Sequence, residues 1–207
     1  MQRETMMNQA ENSSCDLTIV IPSYNEGECL EQTFNEVNDV FLKESLRPNY
    51  VLVDDGSSDS TPQEIEKIRQ KHKDQVSVVT HLTNKGLGTA IKSGFIAAPT
   101  DWVGWVPSDG QIAPAGVLDL YKKRNGYDVM TGKVSVAARL EADNWFRLIL
   151  SKGSRVVMKM LHPRMPSFNG IIILHKPELN LNALMCTTGF VNMEILDRLR
   201  RKKRNYD

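Results

Sequence analysis

The chain has 207 residues, 41% of them hydrophobic and 25% charged, and its 26 basic and 25 acidic side chains give a formal net charge of +1. This length suits one domain with a buried core, and this composition excludes collagen-like, disordered and disulfide-scaffold chains. The balanced charge excludes a broad surface for nucleic acid. No apolar stretch reaches the roughly 18 residues that a membrane-spanning helix needs, and the polar first residues lack the apolar core of a signal peptide. We therefore expect a folded cytoplasmic protein that binds no nucleic acid.

The cysteines and histidines give no sign of a disulfide framework or a zinc centre. Cys15, Cys29 and Cys186 lie far apart in the chain and form no C-x-x-C pair. No metal-binding motif contains any of the histidines, which are His72, His81, His162 and His175. We expect free thiols in a reducing compartment, and ordinary structural or surface roles for the histidines.

Short β-rich stretches alternate with longer helical ones after a polar segment over residues 1–15, which we expect to be a loose tail. Consecutive apolar residues predict buried strands, and apolar residues three or four positions apart predict amphipathic helices. The predicted elements up to residue 110 are strand 17–21, helix 28–41, strand 50–54, helix 61–71, strand 76–80, helix 88–98 and strand 102–106. This alternation predicts an α/β fold with a mainly parallel sheet covered by helices on both faces.

The pattern is weaker beyond residue 110. It predicts helix 115–123, strand 129–132, a long helix 143–161 bent at Gly153, strand 170–175 and a final helix from residue 192 to about 204. At the start of helix 61–71, Thr61-Pro62-Gln63-Glu64 predicts a capping box with proline at the first helical position. Ligands of open parallel sheets bind beyond the carboxyl ends of the strands, so we expect the functional site in the loops that follow the strands.

Two of these loops are rich in polar side chains. The loop after the first predicted strand is Pro22-Ser23-Tyr24-Asn25-Glu26, and the loop after the second begins Asp54-Asp55-Gly56-Ser57. Neighbouring carboxylates raise each other's pKa unless a cation or a hydrogen-bond donor compensates. The paired aspartates therefore predict a bound ligand, although Asp-Gly-Ser-Ser is also ordinary turn chemistry before a helix.

In these motifs the sequence resembles the family 2 glycosyltransferases of GT-A fold, which open with P-x-Y-N-E and end their second strand in D-D-G-S-x-D-x-T. A third family motif, N-x-G-x-G-x-A, is matched by Asn84-Lys85-Gly86-Leu87-Gly88-Thr89-Ala90. The resemblance is strong over residues 17–111 and weaker beyond them. It implies a single GT-A domain over residues 16–207, with a nucleotide-sugar-binding half (16–111) and an acceptor half (112–207) that is short at its C-terminal end.

By this resemblance, the strand-end loops hold a nucleotide-sugar donor, UDP- or GDP-linked. Asp55, with Asp54 behind it, is expected to contact the base or ribose from a surface loop. Pro22, Tyr24 and Glu26 are expected to belong to the loop that closes on the base. The donor-binding residues that the resemblance implies are Pro22, Tyr24, Asn25, Glu26, Asp54, Asp55, Gly56, Ser57, Asn84, Lys85, Gly86, Ser108, Asp109, Gly110 and Gln111.

The loop after the fourth strand departs from the family pattern. Family members carry D-x-D there, often D-A-D-G-Q, whose carboxylates hold a divalent ion on the donor diphosphate. This chain has Pro107-Ser108-Asp109-Gly110-Gln111, so a proline replaces the first aspartate. Oxygen ligands suit Mg²⁺ and Mn²⁺, and Mg²⁺ usually keeps several waters, so the resemblance still implies one of these ions, with Asp109 as its direct ligand.

The second half resembles the family members that act on polyprenyl phosphates. Thr131-Gly132-Lys133 stands where those members have G-S-R. Their R-x-D-x-x-x-R-x-x-S stretch is matched, with one extra residue after the first arginine, by Arg139, Asp143, Trp145, Arg147 and Ser151. Cations stabilise phosphate oxygens, so Lys133 and Arg139 join Asp109 as candidate catalytic residues. Solvated charges on a helix are the alternative interpretation of the same residues.

The resemblance thus implies an inverting, hexosyltransferase-like enzyme of cell-envelope or polysaccharide biosynthesis, whose acceptor is a polyprenyl phosphate or a growing saccharide. No catalytic base stands out, and a phosphate acceptor, unlike a hydroxyl acceptor, needs none. This favours a lipid phosphate. Basic residues of the last helix would then contact an anionic membrane surface peripherally, and these residues are Arg198, Arg200, Arg201, Lys202, Lys203 and Arg204.

Two other functions remain open. A non-catalytic or degenerate nucleotide-sugar-binding protein is favoured by Pro107 and by Pro166, which replaces a second family aspartate, although Glu194 matches a family glutamate of the last helix. A sugar nucleotidyltransferase would need a glycine-rich loop after the first strand, where this chain has Pro22-Ser23-Tyr24-Asn25-Glu26.

Overall fold

The strands form one sheet in the computed structural model, which describes residues 13–110, 112–132 and 170–202. The described strands are β1 (Ser13–Ser23), β2 (Leu46–Asp54), β3 (Val76–Thr80), β4 (Trp102–Trp105), β5 (Val129–Thr131) and β6 (Ile172–His175). Their order across the sheet is β3-β2-β1-β4-β6-β5. The first four strands are parallel, and β6 runs antiparallel to both β4 and β5. The predicted α/β fold with a mainly parallel sheet is confirmed, with a mixed edge.

Helices cover both faces of this sheet. The described helices are α1 (Gly27–Leu42), α2 (Thr61–Lys71), α3 (Leu87–Ala97), α4 (Pro114–Lys123) and α5 (Val191–Arg201), with 3-10 turns at Lys176–Glu178 and Leu181–Ala183. Ile19 and Ile21 of β1 pack with α1, α2 and α4, whereas Val20 between them packs with α3 and α5. Successive side chains of a strand point to opposite faces, so a strand covered on both faces needs an unbroken apolar sequence.

Two strands begin earlier than the sequence predicts. Ser13 and Ser14 of β1 pair with Leu46 and Arg47 of β2, and Cys15 is buried. The last three residues of the predicted loose tail therefore belong to the sheet. Main-chain pairing holds these residues in place, and neither the polar start of β1 nor Pro48 in β2 gives a strand signal in the sequence.

The predicted capping box at the start of α2 is wrong. Ser60 precedes the helix and makes no capping hydrogen bond with its own side chain, and the Thr61 N–H donates to the Asp59 carboxylate (2.9 Å). The Thr61 hydroxyl instead donates to the Asp59 carboxylate (2.6 Å) and accepts the Glu26 backbone N–H (2.9 Å). Glu64 forms an ion pair with Lys67 (2.6 Å) rather than turning back to the helix start. Thr61 therefore connects two loops.

The predicted helix 143–161, and the end of the last helix beyond residue 202, lie outside the described residues. Strand β6 begins at Ile172, slightly later than predicted. Among the helices that the structure describes, none combines the length and the apolar character needed to cross a membrane.

Candidate functional site

The loops after β1, β2 and β4 meet at the carboxyl edge of the parallel strands. We name them the first loop (residues 22–26), the second loop (54–60) and the fourth loop (106–110), and the third loop (81–86) follows β3. Ser23 lies beside Asp54 in the register of β1 and β2. The Ser108 hydroxyl of the fourth loop donates to the Pro22 carbonyl (3.1 Å), and Thr33 of α1 donates to the Ser108 carbonyl (2.9 Å). Ser108, predicted to bind the donor, is buried and joins the first and fourth loops.

The first and second loops are interlocked by hydrogen bonds. The Asn25 backbone N–H donates to Ser57 Oγ (3.1 Å), and Asn25 Oδ1 accepts the Ser58 N–H (2.9 Å). Gly27 N–H donates to the Asp59 carboxylate (3.2 Å). Asn25 has a φ of 55°, a left-handed conformation that asparagine tolerates better than most side chains. The shape of the first loop is therefore fixed by the second.

Asp55 is buried, and the predicted position on a surface loop is wrong. The residue is 3% exposed. Its Oδ1 lies 2.6 Å from His81 Nδ1 and accepts the Lys85 backbone N–H (3.0 Å), while Oδ2 accepts the Gly86 N–H (2.8 Å). A carboxylate only accepts, so His81 Nδ1 donates to Asp55, and His81 Nε2 lies 2.9 Å from the Ser93 hydroxyl. Asp55 thus anchors the third loop.

The other aspartate of the pair, Asp54, closes the turn of the second loop. It is 3% exposed, and its Oδ1 accepts the Ser57 N–H at 2.9 Å. Gly56, which lies in this turn between Asp54 and Ser57, has a φ of 76°. A Cβ atom on Gly56 would collide with the backbone at Thr83 of the third loop. Only glycine fits here, because the position combines a left-handed backbone with a close approach of another chain segment.

The fourth loop carries Asp109 at the surface of this edge. Asp109 and Gly110 are exposed, and Gly110 has a φ of 68°. Burial raises the pKa of Glu26, and the negative charges of Asp109 and Asp59 raise it further. The second and fourth loops therefore bring two carboxylates close enough to Glu26 of the first loop to disfavour its ionisation. A divalent cation would relieve this repulsion.

Metal-ligand geometry is limited in the part of the chain that the structure describes. Within residues 13–110, 112–132 and 170–202, no group of three or more histidine, cysteine, aspartate or glutamate side chains is arranged to hold a metal ion. The exposed Asp109 carboxylate fits a cation that takes its other ligands from a bound diphosphate and water. Gln111, Lys133 and Arg139, also predicted for the site, lie outside the described residues.

Comparison with known proteins identifies the family. The model of Glycosyl transferase family 2 matches residues 18–198. The chain belongs to glycosyl transferase family 2. The dolichol-phosphate mannosyltransferase of Pyrococcus furiosus is 30% identical over 151 residues, which cover 72% of this chain and 42% of that protein. The human dolichyl-phosphate beta-glucosyltransferase is 29% identical over 167 residues, which cover 73% of this chain and 52% of that protein. The chain spans about half the length of these curated relatives.

Solved structures show the same fold in other glycosyltransferases. One is the mannosyltransferase PcManGT from Pyrobaculum calidifontis, which was solved with GDP-Man and Mn²⁺. Its TM-score to this chain is 0.62 at 15% identity, and the match covers 99% of this chain and 59% of the PcManGT chain. Another is glucosyl-3-phosphoglycerate synthase from M. tuberculosis, with a TM-score of 0.61 at 18% identity. This match covers 91% of this chain and 69% of the synthase chain. The predictions of a glycosyltransferase of family 2 and of a GT-A fold are confirmed.

In this family 2 chain, most of the predicted site residues that the structure describes fall into two structural groups, while Glu26, Gly56, Ser57 and Gly86 are half-buried. One group is exposed at the carboxyl edge and comprises Tyr24, Asn25, Asn84, Lys85, Asp109 and Gly110. The other is buried and holds the loops together; it comprises Pro22, Asp54, Asp55 and Ser108. Sequence analysis missed His81 as the partner of Asp55. The available signal was its position, since His81 directly follows β3 and so lies at the same edge as the paired aspartates.

The raised pKa of Glu26 gives this family 2 chain a testable pH dependence. The pKa of such a carboxyl is higher in the folded state than in the unfolded state. Its stabilising contribution is therefore complete below the unfolded-state pKa and is lost as the pH rises through the folded-state pKa. Glu26→Gln removes the ionisable group. At pH 7 we expect the free energy of unfolding of the variant to exceed that of the parent by up to about 1 kcal/mol, a small difference because solvent screens a partly exposed charge. Urea unfolding at several pH values between 4 and 8 measures the difference.

Glu28→Gln is the matched control, because Glu28 is an exposed carboxylate in the first turn of α1, two residues after Glu26. If Glu26→Gln and the parent lose stability equally as the pH rises over that range, the repulsion between the loops is absent.

Proposed function

We propose that this chain transfers a sugar from a nucleotide-diphosphate sugar to an acceptor, and that the donor binds over the carboxyl ends of β1, β2 and β4. The observation that carries the proposal is the interlocking of the motif loops at one edge of the sheet. Buried Asp54, Asp55 and Ser108 hold these loops, while polar groups of the same motifs stay exposed beside them. PcManGT, which has a similar fold, was solved with a nucleotide sugar, and this supports the proposal.

Exposed side chains at this edge have chemistry suited to a nucleotide diphosphate. Tyr24 is 47% exposed on the first loop, and an aromatic ring offers a flat face for stacking on a base. Lys85 is exposed on the third loop, and its ammonium group is suited to diphosphate oxygens. In this proposal, Tyr24 orients the base and Lys85 balances the charge of the phosphates.

Asp109 is the residue that we propose to hold Mg²⁺ or Mn²⁺. The ion, when bound, would supply charge neutralisation at the diphosphate leaving group. The pKa of Glu26 is raised first by burial and then by the negative charges of Asp109 and Asp59, and this closeness of carboxylates supports a cation near Asp109. Glucosyl-3-phosphoglycerate synthase has been solved with Mn²⁺ and UDP.

A polyprenyl phosphate is the acceptor that we propose. The two curated relatives named above are a dolichol-phosphate mannosyltransferase and a dolichyl-phosphate glucosyltransferase. A phosphate oxygen attacks without a general base, so this acceptor agrees with the lack of an evident base in the sequence. We propose that Lys133 and Arg139 hold its phosphate. In this division the donor half (16–111) and the acceptor half (112–207) share one sheet, since β6 of the second half pairs with β4 of the first.

Peripheral membrane contact through the basic last helix is a further part of the proposal. Several of these cations already have partners in the chain: Arg198 with Glu194, Arg201 with Asp197, and Lys202 with a backbone carbonyl. Co-sedimentation with anionic vesicles that is lost at raised salt would support the contact, because salt screens surface charges. Absence of binding at low salt would contradict it.

A donor screen tests the proposed function. The chain is heated with a panel of UDP- and GDP-sugars, with and without Mn²⁺, and one donor is expected to raise the melting temperature. A ligand at a hundred times its Kd stabilises the folded state by about 2.7 kcal/mol. Slow hydrolysis of that donor without acceptor distinguishes an enzyme from a non-catalytic binder, the second candidate favoured by Pro107. Failure of every donor to stabilise the chain would overturn the proposal.

A further inference from the structure

A segment before the last helix packs against the third loop, which carries part of the proposed donor site. This strap (residues 183–188) starts at the last residue of the 3-10 turn Leu181–Ala183 and leads toward α5. Gly88 N–H at the start of α3 donates to the Thr187 carbonyl at 2.9 Å. A Cβ atom on Gly86 would collide with the Thr187 carbonyl, and one on Gly88 would collide with the Cys186 carbonyl. The glycines of the N-x-G-x-G motif are thus the positions where the strap backbone touches the third loop and α3.

Glu194 of α5 holds the strap from the other side. Its carboxylate accepts the Met185 N–H at 3.0 Å on both oxygens and the Cys186 N–H at 2.8 Å on Oε2. Arg198 donates from Nε to Glu194 Oε1 (2.9 Å) and also donates to the Ala183 carbonyl. Burial raises the pKa of Glu194, but the two backbone N–H groups and Arg198 lower it more, so that it ends below its usual value. The carboxylate therefore makes its contacts in the charged form.

The contacts continue from the strap to the proposed donor site. Gly86, pressed against Thr187, donates its N–H to Asp55 Oδ2 (2.8 Å) and to Asn84 Oδ1 (3.0 Å). Gly86 has a φ of 89°, and glycine has the widest backbone freedom of any residue. Once the strap is loosened, the third loop keeps its Asp55 contacts but loses the surface that limits Gly86 on its other side.

We propose that Glu194 is a positioning residue for donor binding, which acts through the strap on the third loop. The proposal rests on the function proposed above and adds to it a residue that touches neither donor nor acceptor. The charged carboxylate fixes the strap, the strap fixes Gly86, and Gly86 sets the position of Asn84 and Lys85 at the exposed edge.

Glu194→Gln tests the proposal, because glutamine keeps the shape and loses the charge. Its amide nitrogen would face either a backbone N–H or Arg198, and each pairing sets donor against donor. We expect the Kd of the preferred nucleotide sugar to rise about tenfold by calorimetry, which is about 1.4 kcal/mol. In the chain without donor, we expect faster hydrogen exchange at the Gly86 and Gly88 amides.

Asp197→Asn is the matched control. Asp197 and Arg201 form the same kind of i,i+4 ion pair on the same helix, at 2.8 Å, with no contact to the strap among those described. We expect this variant to bind the donor like the parent. If Glu194→Gln does not fold, Glu194→Asp replaces it, since aspartate keeps the charge for Arg198 but is too short to reach both amides.

The outcomes separate this proposal from the proposed function. If the parent binds a donor and the Glu194 variant binds it equally well, with a lower melting temperature alone, Glu194 is merely structural and the inference is overturned. If the parent binds no donor, the proposed function fails first. Weaker donor binding together with faster exchange at Gly86 and Gly88, both absent from Asp197→Asn, would support the proposal.

Discussion

Asp109→Asn is expected to lower the turnover of sugar transfer at least about a hundredfold, the scale on which an electrostatic stabiliser of a developing charge acts. Asp109 lies exposed on the fourth loop, and its charge acts on Glu26 of the first loop. Pro107 occupies the other carboxylate position of the family motif, so Asp109 is left as the proposed direct metal ligand. Asparagine keeps the size of the side chain and removes its charge. The measurement is kcat at saturating donor and Mn²⁺, with the Mn²⁺ affinity of the donor complex determined in parallel.

Asp119→Asn provides the control, because Asp119 is an exposed aspartate of α4 that pairs with Lys123 on the same helix. Its turnover should equal that of the parent. Pro107→Asp should tighten Mn²⁺ binding by adding a second oxygen ligand, provided that the loop tolerates the loss of proline's fixed φ. If turnover survives both Asp109→Asn and a chelator, the metal proposal is wrong. Charge neutralisation would then have to come from cations such as Lys133 and Arg139.

Asp55→Ala is expected to destabilise the fold and to abolish donor binding. His81 Nδ1 and the Lys85 backbone N–H lose this acceptor, and the Gly86 N–H keeps only Asn84 Oδ1. A buried donor without a partner costs about 1 to 3 kcal/mol and a partly buried one less, so the free energy of unfolding should fall by about 2 kcal/mol or more. Total stabilities are about 5 to 15 kcal/mol, so this is a large share. Urea unfolding measures the change, and calorimetry measures the donor affinity.

Asp74→Ala is the comparison variant, since Asp74 is an exposed aspartate in the turn before β3. It should match the parent in both measurements. Normal unfolding of Asp55→Ala with complete loss of donor binding would show that Asp55 contacts the ligand rather than the third loop.

Most elements of the fold could be predicted because their signal is local. The apolar sequence of residues 17–21 predicts a strand covered on both faces, and Ile19, Val20 and Ile21 are fully buried. Helix α2 covers its predicted range, Thr61–Lys71. The errors fall where the cause is not local. Ser13 and Ser14 join β1 through main-chain bonds, and Thr61 bonds to the first loop instead of capping its own helix.

The site shows the same division. Motif spacing correctly gave the edge of the sheet where the loops gather, because parallel strands end on one side. It could not show which motif residues turn inward, since Asp55 and His81 lie far apart in sequence and meet only when β2 and β3 pair. The strap was still harder to predict from motif spacing. Glu194 acts on the third loop through the strap, and the two are brought together by the packing of α5 and α3 on one face of the sheet.

The alternation of strands and helices and the membership of glycosyl transferase family 2 follow from short patterns of residue types along the chain, and such patterns need no knowledge of the folded molecule. The folded molecule was needed to show that Asp55 is a buried anchor, that Thr61 connects two loops and that Glu194 holds the strap. Each of these roles depends on hydrogen bonds that motif spacing does not indicate. Asp55 and Thr61 bond to groups far away in the chain, and Glu194 bonds to backbone N–H groups of the strap. Such a bond forms only when the sheet and its helices bring both partners within about 3 Å of each other in the right orientation.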